Sequence, residues 1–516
     1  MDRRELFLGG LAAGASLAAF GAPFRAAASA PPFTLGVASG SPSPDGFVIW
    51  TRIAPDPAAP DGMGGVTTPA QVAWEVAEDE AMRRIVRRGS AMTTPAEAHA
   101  LHVEIGGLKP DRPYWYRFTA MGEMSAIGRA RTAPARGARN SRLKLAMASC
   151  AHWETGWFSA YRHMAAEDHD LTLFLGDYIY EYGNPATRTN LVRRVPMVAE
   201  CRTLVEYRNR YALYRTDPDL QALHAAAPCL ATWDDHEVQN DYSADFSQIG
   251  TILVEEFRAR RLAAYRAFYE HMPLRPSVLA NAPEMRIYGR FDYGALARIT
   301  VLDGRQYRSI QPCTVGGSRR GHVAPNTCAD LTDPGRSMLG MDQERWLYDG
   351  FKTGRARWNV IAQDLLVAPL AQKTTDGQPG TFTEGWSGYD ANRGRMLNAI
   401  ATSRLNNPVF FGGDMHAYFT ADLRRNGFTG PTIATEFIGT SVTSDNAADS
   451  LASTLPDNPH IKFFDNRHHG YMTAELTPSR METAFRVVSD RSDPRATVST
   501  LKRYGVENGR PGAVEI

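Results

Sequence analysis

The chain has 516 residues, more than one ordinary hydrophobic core accommodates, so two or more domains are expected. Its 43% hydrophobic and 22% charged residues are the balance of a soluble globular protein and exclude a disordered or fibrous chain. A formal net charge of +1 excludes a nucleic-acid-binding role, because phosphate backbones demand a marked surplus of Lys and Arg.

Residues 1–30 have the layout of a cleavable export signal. Arg3 and Arg4 precede an apolar stretch from Leu6 to Phe20, and small residues follow from Ala26 to Ala30. The paired arginines followed by Leu6, Phe7 and Leu8 point to the twin-arginine route, which makes the twin-arginine export machinery a partner and the protein periplasmic or secreted. Leu6 to Phe20 is shorter than the ~20 residues a spanning helix needs, so no stable membrane anchor is expected.

From residue 31 to 135 the pattern is one of short alternating runs separated by turn residues. Phe47 to Ile53, Gln71 to Asp79, Leu101 to Leu108 and Tyr114 to Met121 read as strands of a small all-β sandwich of fibronectin or immunoglobulin type. The run GLKPDRPYWYRF has the layout of a tyrosine corner, and Thr132 to Arg142 is a polar linker.

Residues 143–490 change character. LKLAMASC, LTLFLGD, LATWDDHE, ARITVLDGR, WNVIAQD and PVFFGGDMH each run apolar and end in ionisable residues. Amphipathic segments such as Val254 to Glu270 and Asp342 to Thr353 lie between some of them. Such continuous strands alternating with helices indicate an α/β layered domain, in which ligands collect beyond the carboxyl ends of the strands. Residues 491–516 read as a polar C-terminal tail without a helix pattern.

Those strand ends bring together Cys150, Asp177 with Tyr180, Asp234 with Asp235 and His236, and Asp414 with His416. Several carboxylates at one partly buried edge repel one another by several kcal/mol unless cations sit between them. Hard oxygen ligands favour calcium, magnesium, manganese or ferric iron. A thiolate and a phenolate favour a strongly Lewis-acidic ion such as Fe(III), because an unperturbed tyrosine ionises only near pH ~10. A mixed cluster follows: one iron-like ion such as Fe(III) and one or more calcium-like ions, with Mg, Mn or Zn the alternative for the second metal.

The ordered blocks SCAHWETGWFSAYRHM, LFLGDYIYEYG, ATWDDHEVQNDY, VLDGRQYR, LGMDQERWL, VFFGGDMHAYFTADL and ATEFIGTSVTS resemble the PhoD-type alkaline phosphatases. These belong to the calcineurin-like metallophosphoesterases, as do the purple acid phosphatases. The resemblance implies a four-layer metallophosphoesterase sandwich after the small β-sandwich. It makes Asp177 the residue that bridges two metals and Tyr180 the phenolate ligand of iron, with Tyr178 and Tyr182 as competitors. Cys150 stands where relatives carry an aspartate. Asp235 and Asp414 then face the second metal and His416 the iron. Asp234 is a ligand or a structural carboxylate, and Gln363 is a further ligand, with Asp364 its competitor. His236 contacts the substrate or leaving group, or orients Asp235. Asp177, Asp235 and His236 make up the catalytic set. Cys313 with Cys328 is a candidate disulfide and Cys201 with Cys229 a second, which leaves Cys150 as the free thiolate.

Asn240 and Arg162 are the residues named for substrate binding, ahead of Asp303, Arg305, Tyr389, Arg467 and His468. The function implied is hydrolysis of small-molecule phosphate monoesters by metal-activated water. A phosphodiesterase or phospholipase D-like hydrolase on the same cluster is the alternative. A remoter one is an exported binding protein with a structural metal site, which would be closed by protein ligands.

Overall fold

The apolar runs LKLAMA, LTLFL and CLAT form three adjacent parallel strands, Leu143–Ala148, Leu171–Leu175 and Cys229–Thr232. The structure is a computed structural model that describes residues 30–183, 190–193, 199–317, 321–324, 327–374 and 377–516. The stretch read as an export signal lies outside the described residues, apart from Ala30.

These strands are apolar throughout because both faces are covered. Leu145, Met147, Leu173, Leu175 and Leu230 point one way, into a cluster shared with Ile299, Val360, Val409, Phe411 and Phe437 of a second sheet. Ala146, Ala148, Phe174 and Ala231 point the other way. They meet helices Ser159–Ala165, Leu204–Arg215, Pro218–Ala226 and Val254–His271 through Tyr161, Tyr211, Leu223 and Phe268. The second sheet repeats the arrangement: Ile361, Phe410 and Phe419 pack under helices Met341–Thr353 and Asp390–Ser403 through Leu347, Met396 and Ile400. Each such side chain, fully buried, contributes about 1.5–3 kcal/mol of transfer free energy. The order of elements is therefore helices, sheet, sheet, helices.

The first sheet has ten strands. Beside Leu143–Ala148 it continues antiparallel through Gly470–Leu476, Arg480–Val488, Val498–Glu507 and Arg510–Glu515. Residues 491–516, read from the sequence as a tail, thus supply its last two strands. Beside Cys229–Thr232 the sheet continues through Val37–Ser43, Gly46–Arg52 and Ala100–Ile105.

Those same N-terminal strands close the small sandwich. Val37, Phe47, Ile49 and Ile105 pack against Val72, Val76, Tyr114 and Phe118 of a five-stranded sheet that includes Ala70–Ala77 and Pro113–Ala120. The Tyr114 hydroxyl accepts a hydrogen bond from Lys109 N at 3.0 Å, the contact that defines a tyrosine corner. The sandwich and the larger unit share one continuous sheet, so the linker at 132–142 connects parts that are already hydrogen-bonded.

Cys313 and Cys328 form a disulfide. Cys201 and Cys229 do not; both are free, buried, and packed in the core beneath the helices, where each serves as a small apolar side chain. No helix among the described residues is long and apolar enough to cross a membrane.

Candidate metal centre

Parallel strands put their carboxyl ends on one edge, and the polar end of each apolar run turns there. Cys150, Asp177, Asp414 and His416 all stand in the left-handed backbone region, with φ of 59°, 53°, 59° and 49°. Such backbone costs of order 1–3 kcal/mol per residue and persists only where surrounding contacts over-determine it. At Asp177, Glu237 provides them. Its carboxylate accepts from Asp177 N at 3.2 Å, Tyr178 N at 2.5 Å and Asp234 N at 2.8 Å, so one side chain fastens GDYIY to DDHE. Gly176, at φ +92°, lies so close to Asp234 that an added Cβ would sit 2.4 Å from the Asp234 Cβ.

The donor atoms fall into three overlapping groups, each with its members within 4.8 Å of one another: Cys150, Asp177 and His416; Asp177, Asp235 and His236; Asp234, Asp235 and Asp414. Asp177 is common to the first two and Asp235 to the last two. The Tyr180 hydroxyl donates to Asp177 Oδ2 at 2.8 Å and lies 3.1 Å from His416 Nε2, which places it in the first group. Its competitors are occupied elsewhere: Tyr178 reaches His224 at 2.8 Å and Tyr182 donates to Asn240 Oδ1 at 2.9 Å.

Charge is unevenly matched. Asp177, Asp234, Asp235, Asp364 and Glu384 are all buried, and Asp414 is half-buried. Two buried guanidiniums answer them. Arg305 Nε donates to Asp234 Oδ1 at 2.5 Å, its Nη2 lies 3.5 Å from Asp235 Oδ1, and its Nη1 donates to Glu384, which Arg308 also binds at 3.0 Å. Asp234 Oδ2, Asp235 Oδ1 and both oxygens of Asp364 remain buried with no hydrogen-bond partner. Asp235 Oδ1 and Asp364 Oδ2 have only the longer approaches of Arg305, at 3.5 and 3.8 Å. A buried carboxylate oxygen without a hydrogen bond carries a large desolvation cost, so this donor set fits hard cations.

The titration behaviour agrees. Burial pushes Asp234 well above the usual carboxylate range against the pull of Arg305, and burial with Glu384 and Asp235 does the same to Asp414. Burial raises Asp364 to about 7 although Arg305 opposes it. Asp235 moves down: burial would raise it, but Arg305 and His236 outweigh that. Cys150 and Tyr180 are both raised by burial and then by Asp177. Without cations, then, most of these donors hold protons.

His236 stacks on the Tyr180 ring with centroids 4.1 Å apart, and its Nδ1 lies 2.7 Å from Glu181 Oε2. Burial would lower its pKa, but Glu181, Asp235 and Asp177 together raise it well above the ordinary histidine value. The other Glu181 oxygen accepts from Asn240 N at 2.8 Å, so Asn240 sits beside the cluster through its backbone.

Two residues expected at the site are engaged elsewhere. Gln363 gives its side-chain amide to Leu365 O and accepts from Leu365 N at 3.0 Å and Trp386 Nε1 at 3.2 Å. Asp364, its competitor, presents the open oxygens instead. Arg162 lies on the helix side, bound to Asp219 at 3.1 Å and to Pro494 O at 2.7 Å. Tyr389 donates to Ser309 O at 2.7 Å, and Arg467 and His468 both pair with Asp465. Glu181, Glu237 and Glu384 were not singled out from the sequence. Glu237 and Glu181 end DDHE and GDYIYE, so motif adjacency was a usable signal for them, whereas Glu384 reaches the cluster only through the fold.

A family model described as PhoD-like phosphatase matches residues 145–485, and one described as PhoD-like phosphatase, N-terminal domain, matches residues 17–134. Alkaline phosphatase D of Bacillus subtilis (strain 168) is 42% identical over 528 residues, spanning 99% of this chain and 88% of that protein. The solved structure of PhoD superposes with a TM-score of 0.87 at 41% identity, covering 95% of this chain and 92% of its own.

Proposed function

This chain belongs to the PhoD-like phosphatase family, and from that premise we propose an exported, metal-dependent phosphatase acting on small-molecule phosphate monoesters. It is a phosphoric ester hydrolase of the alkaline phosphatase type. The helix–sheet–sheet–helix order is read as the metallophosphoesterase sandwich, and Arg3 and Arg4 as the twin-arginine signal that carries the protein to the periplasm or beyond.

Cys150, Tyr180, His416 and the shared Asp177 would hold Fe(III). Asp235 and Asp414, with Asp234 and Asp364 beside them, would hold calcium ions, or alternatively Mg, Mn or Zn. Bound there, such ions neutralise phosphate charge and lower the pKa of water enough to make it a nucleophile near neutral pH.

The chain's own residues do the rest. Arg305 binds Asp234 and lies beside Asp235, orienting both from within the cluster. His236, fixed through Nδ1 by Glu181, presents Nε2 to the leaving oxygen and delivers its proton there. The left-handed turns at Asp177 and Asp414 hold their carboxylates in place before substrate arrives.

The observation that carries this reading is the set of four buried carboxylate oxygens without hydrogen-bond partners, from Asp234, Asp235 and Asp364. The test is elemental analysis of purified protein beside hydrolysis of p-nitrophenyl phosphate and bis-p-nitrophenyl phosphate. Iron and calcium are expected, with faster turnover of the monoester. Full activity on magnesium or zinc alone would remove the ferric assignment, and faster diester turnover would move the function to the phosphodiesterase alternative.

A further inference from the structure

Two side chains from the C-terminal part meet the 443–445 turn beside the metal corner: His469, whose Nε2 lies 2.8 Å from Ser444 O, and Arg491. Residues 490–497 join strand Arg480–Val488 to strand Val498–Glu507 and are clamped to helix Ser159–Ala165. Arg162 donates to Pro494 O at 2.7 Å, and His163 Nε2 lies 2.8 Å from Ala496 O. Trp157 N donates to Arg491 O at 2.8 Å, so both ends of the Arg491 neighbourhood are anchored. Its guanidinium then grips the turn 443–445 twice: Nη1 donates to Thr443 O at 2.7 Å and Nη2 to Asp445 Oδ1 at 2.6 Å.

That turn touches two of the candidate ligands. Thr443 N and Ser444 N donate to Cys150 O at 3.3 and 3.2 Å, and the Ser444 hydroxyl donates to the same carbonyl at 2.9 Å. At its other end, Asp445 O accepts from His416 Nδ1 at 2.5 Å, which leaves His416 Nε2 for the corner formed with Tyr180 and Asp177. A metal-ligating imidazole needs its other nitrogen hydrogen-bonded to fix the tautomer and ring orientation. A fork that binds a carbonyl and a carboxylate at once suits arginine and exceeds what a single ammonium does.

We propose that Arg491 is a positioning residue of the metal centre: it holds the 443–445 turn so that Cys150 and His416 are presented together, with His416 in its Nδ1–H tautomer. The inference rests on the metal-dependent reading above. None of the family blocks in the sequence includes Arg491, and it touches no candidate ligand itself.

The test uses the full-length protein with the metals it carries on purification. Metal per chain and its release into excess chelator are measured for Arg491→Gln, Arg491→Lys and Asp445→Ala, beside Arg480→Gln as a control on the exposed face of the same sheet. In Arg491→Gln and Asp445→Ala one metal equivalent leaves about 10–100-fold faster than in the unsubstituted protein, while the others leave at the original rate. Arg491→Lys falls between, and Arg480→Gln behaves as unsubstituted. Release unchanged in both variants, or accelerated equally for every equivalent, overturns the proposal, because the second result marks general loosening. Should Arg491→Gln not fold, Asp445→Ala carries the test alone, since it keeps the carbonyl that His416 uses. Unsubstituted protein that holds no metal would overturn the functional reading and this inference with it. Metal-loaded protein whose variants release metal normally overturns this inference alone.

Discussion

Asp177 belongs to two donor groups at once, and its carboxylate also accepts from Tyr180 and from His236 N. Asp177→Asn therefore removes a shared charge as well as a ligand. Its expected loss in kcat exceeds the roughly 10–100-fold of an outer-shell change, with loss of metal by elemental analysis. Near-normal metal content and turnover would place the site elsewhere. Asp364 and Gln363 differ in the opposite sense from the sequence expectation: Asp364→Asn should lower metal content, whereas Gln363→Ala, which removes contacts to Leu365 and Trp386, should leave metal content intact and lower stability. The cysteines make a second residue-scale test. Unfolded, unreduced protein should titrate three thiols, from Cys150, Cys201 and Cys229, and a value of one would restore the second disulfide.

At the level of elements, strand ends and turns carry the site, and their conformations leave little freedom. Gly176→Ala would impose both a disfavoured φ and a Cβ against Asp234, at a cost of roughly 3 kcal/mol in urea unfolding. Because Asp234 is the neighbour displaced, metal content should fall too; a neutral Gly176→Ala would show that the turn has another conformation. The tyrosine corner is separable from all of this. Tyr114→Phe removes the acceptor for Lys109 N and should cost about 1–2 kcal/mol, with activity unchanged. Elements such as these were well marked in the chain. The expected helix from Val254 to Glu270 is Val254–His271, and the expected strand from Phe47 to Ile53 is Gly46–Arg52, because periodicity and turn residues are local properties. The C-terminal hairpin was marked only at its turn, Asn508-Gly509 between the paired Glu507 and Arg510. KRYGVENGRPGAVE has weak alternation, and its strands form by adding to an existing sheet edge.

The whole molecule links metal, protons and stability. In metal-free protein, burial raises Asp364 to about 7, and burial with Asp177 raises Glu237 to about 8. An unfolded carboxyl ionises near pH ~4, so through these two groups the folded form binds more protons and loses stability as pH rises towards 8. His102, His169 and His469, each lowered by burial to about 4, act the opposite way up to the unfolded histidine value of about 6.5. The carboxyls act unopposed by them only above it, and chelator-treated protein is expected to melt lower at pH 8 than at pH ~6.5. Restoring metal at 100 times its dissociation constant should add about 2.7 kcal/mol. A melting temperature that is flat or rising over that range in the chelated protein would mean that these groups are already ionised when folded. The chain by itself determined the layered α/β class, the strand ends that carry chemistry, and the residue types that call for cations, because apolar patterning and motif spacing are written locally. Only the tertiary structure decided that Asp364 lies beside Arg305 while Gln363 binds Leu365 and Trp386, that Arg305 sits among the carboxylates, and that Arg491 reaches the 443–445 turn from the far end of the chain. Those outcomes depend on which side chains find partners once distant strands are packed, and a buried group's partners are set by the fold around it rather than by its neighbours in sequence.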